Sequence, residues 1–110
     1  MSQSVTARYD GGFSVNEKII ERKLVTATKA KGGIAPKFVS PGYDGMPDRI
    51  ILLPNGKMGF VELKARGKKP RPLQEARHRL LRELGFKVYV VDDVKQINDV
   101  LSELLRGDAI

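Results

Sequence analysis

Two strand-like runs, 48–53 and 58–64, flank Pro54-Asn55-Gly56-Lys57, and this arrangement constrains the fold more than any other part of the chain. Asn-Gly between β-rich runs is the strongest short-range hairpin signal, because the tight turn needs positive φ at both central residues. Asp48-Arg49-Ile50-Ile51-Leu52-Leu53 therefore reads as one strand, and Met58 to Lys64 as its antiparallel partner. A loop over 65–71 follows. Pro72 then opens a helix, at a position where its missing N–H costs nothing. Leu73, Ala76, Leu80 and Leu84 are expected on the buried face of that helix, and Gly85 stops it. Lys87 to Val91 is a strand rich in Val and Tyr. Asp92 or Asp93 caps a last helix, with Val94, Ile97, Leu101 and Leu104 inward and Gly107 beyond its end.

Upstream of the hairpin, residues 1–13 read as a flexible arm ending in Asp10-Gly11-Gly12. Ser14-Val15-Asn16-Glu17 is a capping box that starts a helix. Ile20, Leu24 and Ala27 follow at helical spacing, and Gly32-Gly33 ends the run. Ile34 to Val39 is a short strand candidate, and Ser40 to Pro47 is a loop by its turn residues. The order is αβββαβα, which builds an α/β fold. The strand–helix–strand piece crosses over right-handedly, and the result is a mixed β-sheet with flanking helices. Residues 14–110 are the length of one domain with one modest core.

Net charge is +7, and its distribution matters more than its total. Lys64, Arg66, Lys68, Lys69, Arg71, Arg77, Arg79 and Arg82 place eight cations between 64 and 82, opposed there by Glu75 alone. Outside this segment acids and bases balance. A local excess of this kind is the footprint of a surface that meets a polyanion. There is no Cys, so thiolate metal sites, cysteine nucleophiles and disulfides are excluded. No apolar run approaches the roughly 20 residues of a membrane span. The N-terminus lacks the apolar core of a signal peptide, and a cytoplasmic protein is expected.

Glu62 and Lys64 are two apart on one strand and share a face, while Leu63 points the other way. The turn folds Asp48 back beside them. One end of the hairpin thus gathers two carboxylates and an ammonium. Close carboxylates repel, and a divalent cation between them relieves the repulsion. Oxygen donors select a hard ion, Mg²⁺ or Mn²⁺. A neighbouring lysine can orient water, act as a base or offset charge developing on phosphorus. Glu-x-Lys alone equally describes the solvated face of a half-buried strand. His78 is expected to face solvent or a polyanion, and one histidine builds no metal site. Asp92-Asp93 reads as a helix cap, Asp10-Gly11-Gly12 is too short for a phosphate loop, and Met46 and Met58 read as packing.

Gly45-Met46-Pro47-Asp48 followed by Glu62-Leu63-Lys64 resembles the PD-(D/E)xK nuclease superfamily, and within it a stand-alone VRR-NUC (virus-type replication-repair nuclease) domain. Ile20-Glu21, Lys37-Phe38-Val39-Ser40-Pro41-Gly42 and Pro72-Leu73-Gln74 extend the resemblance, which runs from about Asn16 to Val94. It implies a restriction-endonuclease-like fold and a metal-dependent DNA endonuclease. Asp48 and Glu62 would bind Mg²⁺ or Mn²⁺ together with the backbone carbonyl of Leu63, and Lys64 would be the catalytic lysine. A glutamate of the first helix usually completes such a site. Glu21 takes that role here, with Glu17, one turn away, as second choice. Gln74 would contact the metal site or the scissile phosphate. Ser40, Arg66, Lys68, Lys69, Arg71 and Arg77 would hold the DNA. Stand-alone relatives resemble Holliday-junction resolvases, so a homodimer acting on branched or duplex DNA is implied, in a bacterial or phage-infected cell, with no organic cofactor and no membrane. The alternative is a catalytically inactive or weakly active DNA-binding module that recruits partners in replication or repair. A third reading makes the last helix an assembly surface, with Val100 and Leu105 widening its apolar face into a dimer contact.

Overall fold

The computed structural model describes residues 15–107; the expected arm at 1–13 and the Ser14 cap lie outside the described residues. Its centre is the hairpin. β1 (Arg49–Leu53) pairs antiparallel with β2 (Lys57–Leu63), Arg49 opposite Val61 and Leu53 opposite Lys57. The connection at Pro54–Gly56 is a tight turn in which Asn55 (φ 64°) and Gly56 (φ 72°) are both left-handed, as the Asn-Gly pair requires. After a loop and α2 (Pro72–Glu83), β3 (Val88–Val91) returns parallel to β2, giving the sheet order β1-β2-β3.

The helices divide between the two faces of this sheet. α1 (Val15–Ala30) and α3 (Lys95–Arg106) cover one face, where Ile20 and Leu24 of α1 and Ile97, Leu101 and Leu104 of α3 pack on Ile51, Leu53, Val61, Leu63 and Val91. α2 covers the other face, over a smaller cluster of Phe60, Leu81 and Val88 with Phe38, Met46 and Met58 beside it. Strand alternation explains the division: Val61 and Leu63 face α1 and α3, so Phe60, Glu62 and Lys64 must face α2.

Segment 34–38 corrects the expected first strand. It runs antiparallel along β1, with Ile34 and Leu52 exchanging both backbone hydrogen bonds, the Ile50 amide donating to Pro36 O, and the Phe38 amide donating to Asp48 O. Pro36 has no N–H to return, so the ladder is interrupted there and a continuous strand does not form. The chain enters this segment through Gly33, where a Cβ would overlap the Leu52 carbonyl oxygen. The absence of a side chain lets the two backbones approach.

Two expected apolar faces shift. On α2, Leu73 and Leu84 are 44% and 64% exposed, Ala76 and Leu80 are half-buried, and the buried stripe is Gln74, His78 and Leu81. On α3, Val94 precedes the helix and is exposed, whereas Val100 lies in the core. A Val100 already packed inside the fold is not available as a dimer contact, and Leu105 packs against the same core. The end of α3 is as expected, with Gly107 left-handed at φ 65°. Among the described residues, no helix is long and apolar enough to cross a membrane.

Candidate active site

Glu62 is 1% exposed, in the middle of the face that α2 covers. A carboxylate so buried needs partners on each oxygen. Gln74 Nε2 donates to its Oε2 at 2.9 Å, and the Lys64 ammonium lies 3.4 Å from the same oxygen. His78 Nε2 faces Oε1 at 3.4 Å. Gln74 Oε1 in turn accepts from Lys64 Nζ at 2.9 Å and from the Arg71 amide at 2.8 Å. One side chain from the first turn of α2 therefore holds both the carboxylate and the ammonium, and ties the helix start to them.

Asp48 stands at the head of β1, across from Glu62. Its Oδ2 accepts from the Leu63 amide at 2.8 Å, which brings the backbone of Leu63 against the carboxylate. Burial, and then the negative charge of Glu62, push the Asp48 pKa up to about 7, against the pull of the Leu63 amide and of Lys64. The two carboxylates repel each other, and the Lys64 ammonium offsets only part of that repulsion. The sequence places Asp48, Glu62 and Lys64 together, and the structure brings them together with Gln74.

Glu21 is elsewhere. It is buried on α1, ion-paired with Arg49 at 2.7 Å and with Lys18 at 3.6 Å. Arg49 follows Asp48, so its side chain points to the opposite face of the sheet, where it also donates to Ala35 O at 2.6 Å. Glu21 is thus joined to the site through Arg49. Glu17 is half-buried near the start of α1. Among the described residues, no three His, Cys, Asp or Glu side chains gather as a metal-binding group. The Asp48–Glu62 pair nonetheless fits a hard divalent cation. All its donors are oxygens, the charges repel, and Mg²⁺ commonly takes only one or two carboxylates while keeping water or phosphate oxygens.

The structure corrects the expectation for His78. It is 2% exposed and lies under Glu62, not toward solvent. The missed signal is the Gln74–His78 spacing of four, which puts both on one helix face, with Leu81 continuing that stripe. Asp93 Oδ1 accepts from the Lys95 amide, a cap at the start of α3, while Asp92 Oδ2 accepts from the Gly67 amide and ties the basic loop down.

Arg66, Lys68, Lys69 and Arg71 are exposed along the loop that leaves Lys64, with Arg66 3.6 Å from Asp93. Arg77 is engaged differently. It stacks on the Tyr43 ring, 3.9 Å from the centroid, and donates from Nε to Asp44 O at 2.8 Å. Ser40 is half-buried at the start of the same loop, its carbonyl accepting from the Tyr43 amide.

No family model matches the chain. Its sequence is 53% identical over 78 residues to "Putative nuclease p44" of Acyrthosiphon pisum secondary endosymbiont phage 1, an overlap of 71% of this chain and 84% of that protein. A solved structure described as a VRR_NUC domain has a TM-score of 0.75 to it at 31% identity, over 81% of this chain and 97% of the other. That likeness makes the α/β fold described above restriction-endonuclease-like. With so much of each chain matched in both sequence and structure, the protein belongs to the VRR-NUC family.

Proposed function

We propose that the chain is a metal-dependent DNA endonuclease of the PD-(D/E)xK kind, with Asp48, Glu62 and Lys64 at its reaction centre. The observation that carries this reading is the buried Glu62, paired with Asp48 and held with Lys64 by Gln74. A fold gains nothing in stability from two carboxylates at this distance, and such costs concentrate where chemistry needs them. The phage relative described as a nuclease supports the same reading.

Asp48 and Glu62 are the residues that would hold Mg²⁺ or Mn²⁺, with Leu63 supplying backbone beside them. When bound, the cation would supply positive charge to the scissile phosphate and acidify water. Lys64, kept near Glu62 by Gln74, presents its ammonium to the attacking water and to the non-bridging oxygens, where charge builds as the phosphorus–oxygen bond breaks. Gln74 fixes where both groups stand, which confines the reacting atoms to one geometry. Glu21 anchors Arg49 next to Asp48 and so acts by positioning. Arg66, Lys68, Lys69 and Arg71 grip backbone phosphates, giving salt-dependent binding with little sequence readout.

One protomer carries one such centre. Symmetric cutting of both strands at a junction requires two, and we assign that to a two-fold homodimer. The test is a panel of four-way junction, flap, duplex and single strand incubated with Mg²⁺, Mn²⁺ or EDTA, alongside sedimentation of the protein. Metal-dependent scission with a dimer is the expected result. Binding without scission under every metal condition would return the chain to a recruiting module.

A further inference from the structure

The loop that leads into Asp48 carries an aromatic ring that lies outside the hydrophobic core. This residue, Tyr43, is 43% exposed. The other described aromatics are engaged: Phe38, Phe60 and Phe86 pack ring against ring, and the Tyr89 hydroxyl donates to Glu103. An exposed tyrosine on a loop normally rotates freely. This one is braced, because the Arg77 guanidinium carbon sits over it, 3.9 Å from the ring centroid, and Arg77 is itself pinned to Asp44 O.

The loop beneath is fixed as well. Gly42 (φ 81°) and Gly45 (φ 90°) take left-handed turns on either side of Tyr43-Asp44. Gly45 packs so closely on Leu73 and Arg77 of α2 that a Cβ would collide with Leu73. Leu73 and Arg77 alternate along α2 with Gln74 and His78, the two residues that hold Glu62. The ring is therefore rigidly mounted on the helix that builds the reaction centre, on the chain segment that delivers Asp48. The exposed cations of 66–71 leave the same centre from Lys64.

An exposed, braced aromatic ring on the segment entering a phosphate-cutting centre, with a basic loop leaving that centre, is the combination by which proteins take hold of unpaired bases. A paired base buries both its faces in the duplex and offers none to such a ring. We propose that Tyr43, backed by Arg77, is a stacking site for one unpaired base beside the scissile phosphate, so that the enzyme selects DNA with a single-stranded element at the cut. This rests on the nuclease reading above and names its substrate class. The Arg77 guanidinium stiffens the ring and adds its charge to the base–phosphate contact.

The test reads binding in EDTA, where no cutting intervenes, using fluorescence anisotropy on a forked DNA and on a fully paired duplex of the same sequence. Wild type should hold the fork more tightly. Tyr43→Ala should weaken the fork by about 10-fold, the loss of one stacked base, and the duplex by less than about 2-fold. Tyr43→Phe should keep the preference. Tyr43→Leu, which preserves apolar bulk without a ring face, should lose it, and melting curves of each variant separate this from unfolding. Equal losses on fork and duplex, retention by Tyr43→Leu, or a wild type indifferent to the fork would overturn the proposal. Cleavage in Mg²⁺ or Mn²⁺ is run alongside. A wild type that prefers the fork but cuts nothing would sink the nuclease reading and leave the stacking site standing.

Discussion

Asp48→Asn should make the metal-free protein more stable while removing its activity. In the fold, Asp48 has its pKa raised from 3.8 to about 7, by burial first and by Glu62 second. The folded state therefore binds this proton more tightly than the unfolded chain does. Between about pH 4 and 7 the native state carries the extra proton, and stability falls as pH rises through that window. Above 7 the full penalty is present. A shift of this size corresponds to at most about 4 kcal/mol. Asp48 is not fully buried, and solvent screens much of its repulsion from Glu62, so about 1–2 kcal/mol is the working figure. Asparagine keeps an oxygen to accept the Leu63 amide that now donates to Oδ2, and carries no charge. For a domain of this size the gain corresponds to roughly 5–10 °C in Tm.

The assay is thermal melting by circular dichroism in EDTA at pH 8 and at pH 5. The asparagine variant should melt higher at pH 8, and the difference should shrink at pH 5, where native Asp48 is already protonated. Adding Mg²⁺ or Mn²⁺ should narrow the gap by stabilising wild type alone. No gain at pH 8, or a gain independent of pH, would refute the reasoning that burial and the neighbouring Glu62 charge hold Asp48 against its ionisation.

Four further outcomes follow from the geometry. Gln74→Leu strips partners from Glu62 and Lys64 at once; it should lower stability by about 1–3 kcal/mol in urea unfolding, and lower kcat more than DNA affinity. His78→Phe should depress cleavage by leaving Glu62 Oε1 unsupported, and His78→Gln should recover part of it in the same single-turnover assay. Glu21→Gln should destabilise the fold by loosening Arg49, yet leave unchanged the Mg²⁺ concentration for half-maximal cleavage, which loss of a direct ligand would raise. Gly33→Ala should cost about 1–3 kcal/mol, because its Cβ meets the Leu52 carbonyl and neither backbone can retreat without breaking the Ile34–Leu52 pairing.

The hairpin and the Asp48–Glu62–Lys64 grouping were legible because turn chemistry and strand alternation are local rules. Asn55 and Gly56 fix the turn, the turn fixes the register, and the register brings Asp48 across from Glu62. The α2 interior was not legible by the same means. Hydrophobic spacing singles out Leu73, Leu80 and Leu84, but the face turned toward the sheet is built on Gln74 and His78, because the strand beneath presents Glu62 and Lys64. A polar stripe over a polar site is invisible to a search for apolar periodicity. Pro36 illustrates a second limit: segment 34–38 has the composition of a strand, and one missing N–H interrupts its ladder. Glu21 illustrates a third. Its place in the first helix is readable, but its pairing with Arg49 depends on which sheet face that arginine takes.

Single-turnover cleavage of a flapped DNA by wild type and by Lys64→Ala, each with Mg²⁺, Mn²⁺ or EDTA, tests the central claim most directly. Scission by wild type is expected in either metal and none in EDTA, with Lys64→Ala slower by about 100-fold or more while still binding the DNA. Equal rates for the two proteins, or wild-type cutting that persists in EDTA, would contradict it.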